Sequence, residues 1–240
     1  MAQKIIIDTD PGIDDAMAIH MALADPRLEI VGMTTVFGNV TTAQATRNAL
    51  HLADMAAHPA AVAGGATKPR LRDAAPPADF VHGPDGFGDL PAPAPGGRAD
   101  DRGAAAFLCE SCAAAPGEII ICAVGPLTNL AAALDHDPAI AENVGRVVVM
   151  GGSAAWHGNV TACAEANIWN DPHAADRVFA ADWHVTMVGL DVTEKTQCTP
   201  ADFAAIAAAA PRIGGFLESA TGFYFDCLLY TSDAADETVR

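Results

Sequence analysis

The chain has 240 residues, of which 51% are hydrophobic, 18% are charged and only 6% are aromatic. This length and composition are typical of a globular protein with a sizeable core and exclude an intrinsically disordered chain. The formal net charge of −17 at pH 7 argues against nucleic acid or an anionic membrane as a partner, because both would repel an acidic surface.

Apolar, β-rich runs alternate with helical patterns along almost the whole chain. Strands are predicted at 4–8, 28–35, 118–124, 145–150 and 184–190. Helices are predicted at 14–24, 41–57, 102–115, 127–135, 171–181, 200–209 and 212–226. Nearly continuous apolar strands separated by helices indicate a sheet covered on both faces. We therefore expect one α/β domain with an open, mostly parallel sheet.

The sequence carries no visible targeting signal. The first residues, MAQKIII, lack the apolar stretch of a signal peptide, and no apolar run reaches the roughly 18 residues that a membrane span needs. Cys109 and Cys112 form a C-x-x-C inside a helical pattern, without a second pair to complete a zinc site. We expect free buried thiols in a cytoplasmic protein.

The most informative motif is DTDPGIDDA at 8–16, between the first predicted strand and the first predicted helix. It places Asp8, Asp10, Asp14 and Asp15 in one turn at the carboxyl end of the strand, where open α/β sheets form their ligand sites. Helix N-termini favour acidic residues, which explains only the last two. The four acids together favour a site for a hard divalent cation, Ca²⁺ or Mg²⁺, or for proton transfer.

The segment 66–101 interrupts the alternation of strands and helices, because it is rich in Pro, Gly, Asp and Arg. A loop of this length in a compact domain is usually a mobile active-site loop or a disordered insertion. It contains His82 in VHGPDGFGDL. An imidazole in such a loop is either simply solvated or a functional group.

Two further polar groups follow later strands. In AVGPLTNL at 123–130, the carbonyl of Val124 offers a neutral oxygen ligand, although an ordinary strand-to-helix connection explains the same residues. The stretch 150–171 begins with a Gly-Gly pair after Met150 and is dense in groups suited to sugar hydroxyls, although isolated asparagines usually serve turns. Its amide and carboxylate side chains are Asn159, Glu165, Asn167 and Asn170.

These motifs together resemble the inosine/uridine-preferring nucleoside hydrolase family. The matching segments keep the family's order and run from residue 4 to about residue 226. They are DTDPGIDDA at 8–16, TTVFGN at 34–39, HGPDGFG at 82–88, AVGPLTNLA at 123–131, VVVMGG at 147–152, GNVTACAEANIWNDPHAA at 158–175 and GLDVTEKT at 189–196. The resemblance implies a Ca²⁺-dependent hydrolase that cleaves the N-glycosidic bond of a ribonucleoside, in a homo-oligomer.

Carried over by position, the resemblance implies that Asp10 and Asp15 ligate Ca²⁺ through carboxylates and Val124 through its backbone carbonyl. Asp10 is also implied as the general base towards a Ca²⁺-bound water. His82 is implied to approach the nucleobase from the loop. Anionic groups beneath the sugar suit this chemistry, because cleavage passes through an oxocarbenium-like ribose.

The remaining implied residues serve the sugar. Asp14 and Asn167 are implied to bind ribose hydroxyls, and Asn39 is implied to support the acidic residues. The side of the 5′-hydroxyl is implied to lie against Asn159, Glu165 and Met150.

The chain departs from the family near its C-terminus. The family carries a His-Asp-Pro-Leu motif there, whose Asp completes the metal site, and no such motif follows residue 196. The segment CLLYTSDAADE at 227–237 resembles a translated sequencing adapter, so we expect an incomplete nucleoside hydrolase domain at 1–226 and a non-native tail at 227–240. With one carboxylate ligand fewer, we expect weak Ca²⁺ binding, weak or no hydrolase activity and a tendency to aggregate.

Two alternatives stay open on the sequence. A strand followed by Asp8-Thr9-Asp10 is also typical of haloacid-dehalogenase-like phosphohydrolases, although Pro11-Gly12-Ile13 fits that family poorly. A non-catalytic module that binds ribose or a metal is the other alternative. The residues do not decide between purine and pyrimidine nucleosides.

Overall fold

The computed structural model describes residues 2–88, 90, 91 and 94–237, with side chains up to residue 226. The described strands are β1 (Gln3–Thr9), β2 (Leu28–Thr35), β3 (Ala61–Gly64), β4 (Ile119–Ala123), β5 (Arg146–Met150) and β6 (Val185–Val188). The described helices are α1 (Ile13–Ala24), α2 (Thr42–Met55), α3 (Asp79–His82), α4 (Ala104–Ala114), α5 (Thr128–His136), α6 (Ile140–Asn143), α7 (Ala166–Asn170), α8 (Pro172–Phe179), α9 (Leu190–Thr193), α10 (Pro200–Ala209) and α11 (Pro211–Glu237).

The six strands form one sheet in the order β3-β2-β1-β4-β5-β6, and every neighbouring pair is parallel. This confirms the predicted open, parallel α/β fold. The chain adds β2 and β3 on one side of β1, and then β4, β5 and β6 on its other side. The strand order reverses between β1 and β4, and doubly wound folds bind their ligands in the crevice at the carboxyl ends of the two strands where this happens.

The core lies on both faces of the sheet. In β1 the alternation of side chains sends Ile5 and Ile7 to one face and Ile6 to the other. Helices α1, α2, α10 and α11 cover the first face, and α4, α5, α6 and α8 cover the second. Strands buried on both faces are apolar without interruption, which explains the sequence pattern. The rigid sheet holds the residues at its carboxyl edge in place.

Differences from the predicted elements are confined to short or small-residue segments. β3 was missed because Ala61–Gly64 has one β-branched residue among Ala and Gly. The predicted strand 184–190 ends at Val188, since Gly189 caps α9. Four helices of four or five residues, α3, α6, α7 and α9, are too short to show a helical period. Among the described residues of the loop 66–101, α3 is the only helix and no strand is present.

The last helix extends past the predicted domain end at 226, and its backbone continues to Glu237. Of the predicted non-native tail at 227–240, the structure describes the backbone of 227–237 alone. Cys109 and Cys112 are buried and free on α4. Among the described residues, none of the helices combines the length and apolar character needed to cross a membrane.

Candidate active site

Three of the four acidic residues of DTDPGIDDA are buried where β1 ends. Asp8 is 0% exposed, Asp10 1% and Asp15 5%. The side chain of Asp14 is instead 63% exposed. Consecutive helical residues point about 100° apart, and this rotation turns Asp14 outwards and Asp15 inwards in the first turn of α1. The motif therefore contributes three buried carboxyl groups and one accessible carboxylate.

Asp15 fixes the N-terminus of α1. Its Oδ1 accepts a hydrogen bond from the Thr9 hydroxyl at 2.9 Å, and its Oδ2 accepts one from the backbone N–H of Gly12 at 3.0 Å. The side chain of Asn39 donates a further bond to Oδ2, also at 3.0 Å. An acidic residue that reaches back to the N-cap N–H is one half of a capping box. The carboxyl group of Asp15 is thereby held in one orientation.

The carboxyl group of Asp10 lies in a cradle of backbone. Its Oδ2 accepts a hydrogen bond from the Asn39 N–H at 2.6 Å, whereas its buried Oδ1 has no hydrogen-bond partner among the described residues. A Cβ atom at Gly125 would lie 2.6 Å from Oδ1, and one at Gly38 would collide with Oδ2. Both positions therefore need glycine. A buried carboxyl oxygen without a partner calls for a cation or a proton.

Burial dominates the ionisation of these groups. It raises the pKa of Asp10 well above its ordinary value, with a further contribution from the charge of Asp15. It also raises the pKa of Asp8 and of Asp15 to about 7, and the Asp15 shift includes repulsion from Asp14. Among the described residues, no lysine or arginine forms an ion pair with any of the three buried acids. The cluster therefore lacks a compensating positive charge of its own.

The raised pKa of Asp8 predicts how the stability of the metal-free protein depends on pH. Between about pH 4 and pH 7, folded Asp8 keeps a proton that it loses in the unfolded chain, so rising pH lowers the free energy of unfolding. Asp8→Asn removes this titration. We expect the stability advantage of the wild type over Asp8→Asn to shrink as the pH rises through this range, in thermal unfolding with EDTA.

The comparison with the variant is needed because His20 acts in the opposite direction. Burial lowers the pKa of His20 to about 4, so its contribution to stability increases as the pH rises towards the ordinary histidine pKa of about 6.5. His20 is present in both proteins and cancels in the difference. A difference in stability that stays constant from pH 4 to pH 7 would contradict the raised pKa of Asp8.

Val124, Met150 and Asn167 meet beside this cluster, at the carboxyl ends of β4 and β5. The Asn167 side chain donates hydrogen bonds to the Val124 carbonyl at 3.0 Å and to the Met150 carbonyl at 3.1 Å. The N–H of Val124 donates to the Asp8 carbonyl at 2.8 Å, which extends β4 alongside β1. At the next residue, Gly125, an added Cβ would lie 2.6 Å from Asp10 Oδ1, so the turn passes close to that carboxyl group. Val124 therefore lies beside the end of β1 that carries the predicted acids.

Glu165 and Asn159 support the backbone around Asn167. The buried carboxyl group of Glu165 caps α7, accepting hydrogen bonds from the N–H groups of Asn167 and Ile168 at 2.9 and 3.1 Å. It also accepts one from the Gly152 N–H at 2.8 Å. The exposed Asn159 accepts from the Ala166 N–H at 2.9 Å. The oxygens of both side chains accept hydrogen bonds from backbone N–H groups. The predicted contacts of these two residues with the sugar stay predictions.

His82 reaches the acid cluster from the long loop. It ends α3 and is 6% exposed. Its Nδ1 accepts a hydrogen bond from the Ile13 N–H at 3.3 Å and lies 3.8 Å from Asp14 Oδ1, while its ring packs against Tyr224 at 5.9 Å between centroids. Burial lowers the pKa of His82, and the charge of Asp14 partly offsets this. A neutral imidazole that accepts at Nδ1 carries its proton on Nε2 and can donate there.

The groups available to bind a metal ion are oxygen ligands, and they are few. Asp10, Asp15 and the Val124 carbonyl are hard ligands of the kind Ca²⁺ prefers. In the part of the chain that is described, no three His, Cys, Asp or Glu side chains come together as a metal-binding group. Ca²⁺ takes about 6–8 oxygen ligands, so these residues form part of a coordination shell.

Sequence reasoning missed three contributors to this site. Gly38 and Gly125 allow the close approach to Asp10, and Asn129 donates a hydrogen bond to Asp8 at 2.7 Å. All three lie in the segments TTVFGN and AVGPLTNLA, so a signal was present. Their roles depend on which strands are neighbours, and the order of the strands was not predicted.

The chain is similar in sequence and in fold to known proteins. The family model for inosine-uridine preferring nucleoside hydrolases matches residues 5–237. A probable uridine nucleosidase of Arabidopsis thaliana is 46% identical over 226 residues, which cover 93% of this chain and 70% of the relative.

Two solved structures are also similar to this chain. A plant nucleoside hydrolase has a TM-score of 0.93 at 40% identity, over 97% of this chain and 74% of that structure. A purine-preferring ribonucleoside hydrolase from Gardnerella vaginalis has a TM-score of 0.93 at 37% identity, over 97% of this chain and 75% of that structure.

The family match extends over nearly the whole chain and decides against the haloacid-dehalogenase-like alternative. The chain belongs to the inosine-uridine preferring nucleoside hydrolase family and is a hydrolase that acts on N-glycosyl bonds.

Proposed function

We propose that the chain hydrolyses ribonucleosides to ribose and free nucleobase in a reaction that depends on Ca²⁺. One observation supports the calcium requirement: Asp10 Oδ1 is buried without a hydrogen-bond partner among the described residues, and the buried Asp15 raises the pKa of Asp10 further by its charge. The pKa of Asp10 is raised well above its ordinary value, so the group needs a proton or a cation to be stable there.

The residues at hand fit this ion. Asp10 and Asp15 would hold it through their carboxylates and Val124 through its carbonyl. When bound, Ca²⁺ orients a water molecule and makes it easier to deprotonate. The cation also compensates the charge of the two acids, which restores them to the ionised form at neutral pH.

Asp10 acts as the general base in this proposal. The Asn39 N–H fixes the orientation of its carboxylate through Oδ2, so that the group would take a proton from a water held beside the ion. The same cluster of negative charge lies where the ribose ring acquires positive charge as the N-glycosidic bond breaks. Asp14 is the accessible carboxylate of the cluster and binds ribose hydroxyls together with Asn167.

The other predicted residues orient the substrate and the acids. Asn39 donates to both Asp10 and Asp15, through its backbone and its side chain. His82 presents an Nε2–H donor to the nucleobase. The 5′-hydroxyl is held on the side of Asn159, Glu165 and Met150.

The proposed ligands make up part of a coordination shell. Two carboxylates and one carbonyl leave several of the roughly 6–8 positions around Ca²⁺ to other oxygen ligands. The chain spans 70% and 69% of the length of two plant uridine nucleosidases that it matches.

Removal of the metal tests the proposal. Uridine and inosine are both used, because the similar proteins include a uridine nucleosidase and a purine-preferring hydrolase. With Ca²⁺ at saturation we expect release of uracil or hypoxanthine together with ribose, measured by chromatography. We expect EDTA to stop the release and added Ca²⁺ to restore it, because the ion activates the attacking water.

The other outcomes of this experiment contradict the proposal. Release that continues unchanged in EDTA would remove the calcium requirement. Binding of ribose and Ca²⁺ without any cleavage would make the chain a non-catalytic binding module. Hydrolysis of p-nitrophenyl phosphate, included as a control substrate, with none of either nucleoside would indicate a phosphohydrolase.

A further inference from the structure

Asn129 joins four parts of the chain at the point where the strand order reverses. It is the second residue of α5 and is 1% exposed. Its Nδ2 donates to Asp8 Oδ1 at 2.7 Å, at the end of β1, and to the Thr35 carbonyl at 3.0 Å, at the end of β2. Its Oδ1 accepts from the Ala66 N–H at 2.8 Å, where the loop 66–101 begins. Both the oxygen and the nitrogen of the Asn129 side chain therefore form hydrogen bonds.

The surrounding backbone is shaped around this amide. A Cβ atom at Gly65 would collide with the Asn129 side chain, so glycine lets the loop approach it. On the other side, Asp8 binds the same turn twice, since its carbonyl accepts from the Val124 N–H at 2.8 Å. The turn from Val124 to Asn129 is thus tethered to β1 at both of its ends.

We propose that Asn129 is a positioning residue for the metal site, an inference that rests on the proposed function. The tether sets where the turn lies relative to Asp10, because the turn passes so close that a Cβ at Gly125 would lie 2.6 Å from Asp10 Oδ1. The Val124 carbonyl belongs to the same turn and moves with it. Asn129 also anchors the start of the loop that carries His82. The Asn129 amide therefore fixes the positions of the Val124 carbonyl and of the loop that carries His82 relative to the acids.

The competing explanation is a buried amide that only adds stability. Thr34 provides the matched control, because its hydroxyl donates to the same oxygen, Asp8 Oδ1, from β2. Thr34 and Asp8 are both fully buried. Thr34→Val removes one buried donor to Asp8 and leaves the bonds of Asn129 in place. Asn129→Ala removes a donor to the same Asp8 oxygen, and it also removes the bond to Ala66 that holds the start of the loop.

Calcium affinity measured by calorimetry separates the two explanations. We expect Asn129→Ala to weaken Ca²⁺ binding about tenfold, since outer residues that orient ligands typically contribute about 10–100-fold to metal affinity. We expect Thr34→Val to change it by less than about threefold, which is below that range. Equal weakening in the two variants, or unchanged affinity in Asn129→Ala, would overturn the positioning role.

Limited trypsin digestion measures the loop independently of the metal. Cleavage between Arg70 and Leu71 is the readout, because both residues are exposed near the start of the loop, whereas Lys68 precedes a proline and is not cleaved. We expect faster cleavage after Arg70 in Asn129→Ala than in Thr34→Val, both in EDTA. If the wild type binds no Ca²⁺, the proposed metal site fails, and digestion alone decides whether Asn129 anchors the loop: equal cleavage in the two variants would overturn it.

Asn129→Asp guards against a variant that does not fold. It keeps the size of the side chain and an acceptor for Ala66, but it places an acceptor against Asp8 and the Thr35 carbonyl. We expect weaker Ca²⁺ binding with cleavage after Arg70 close to that of the wild type. Failure of both Asn129 variants to fold, while Thr34→Val folds, would make the role purely one of stability and overturn the inference.

Discussion

Replacing Asp10 by asparagine is expected to lower kcat/KM for nucleoside hydrolysis by about 10²–10⁴-fold, the usual contribution of a general base. The amide has nearly the same shape and can still accept the Asn39 N–H, so the fold is kept. It cannot take a proton from water and carries no charge for a cation. Rates with uridine and inosine at saturating Ca²⁺, together with circular dichroism, provide the measurement.

Asp101→Asn is the control for this experiment. The Asp101 side chain is 82% exposed and, among the described residues, pairs only with Arg98, so its loss of charge leaves the acid cluster unchanged. We expect its rates to stay at the wild-type level. An Asp10→Asn variant that retains wild-type rates would remove Asp10 from the chemistry, whatever its burial.

A methyl group added at Gly125 is expected to have a similarly large effect. Its Cβ would lie 2.6 Å from Asp10 Oδ1 and 3.0 Å from Val36, so the carboxyl group must leave its position. Misplacing a reacting group by about 1 Å can cost about 10²-fold in rate. We therefore expect Gly125→Ala to lose about 10²-fold in kcat/KM and to bind Ca²⁺ more weakly, with unchanged circular dichroism.

Gly215→Ala serves as the matched glycine control. A Cβ atom there meets no atom within 4 Å, and the residue lies within α11. Alanine is a better helix former than glycine by about 1 kcal/mol, so we expect a slightly more stable protein with unchanged activity. Normal Ca²⁺ affinity in Gly125→Ala would show that the Asp10 carboxyl group is free to move without consequence.

The sequence predicted the fold and the acid cluster because both leave local signals. Apolar runs between helical patterns are enough to identify a parallel α/β sheet, and four acids after a strand are visible in DTDPGIDDA. The difference between Asp14 and Asp15 was not visible. It follows from the start of α1 at Ile13, which directs one side chain outwards and the next into the capping box.

The rest of the site depends on contacts between distant segments. Asp8 and Asn129 are 121 residues apart, and their hydrogen bond exists only because β1 and β4 are neighbours. Glu165 shows the opposite limit. Its place among asparagines predicts a contact with the sugar, which stays a prediction. The structure adds that its oxygens cap α7 and accept from the Gly152 N–H, and these backbone partners could not be read from the sequence.

The most direct test of the account is the location of Ca²⁺ in crystals grown with the ion at saturation. Anomalous difference density identifies the metal without assuming its ligands. We predict one peak in the crevice between β1 and β4, bound by the carboxylates of Asp10 and Asp15 and the Val124 carbonyl at about 2.3–2.6 Å. A crevice without a peak, or a metal held by other residues, would contradict the central claim.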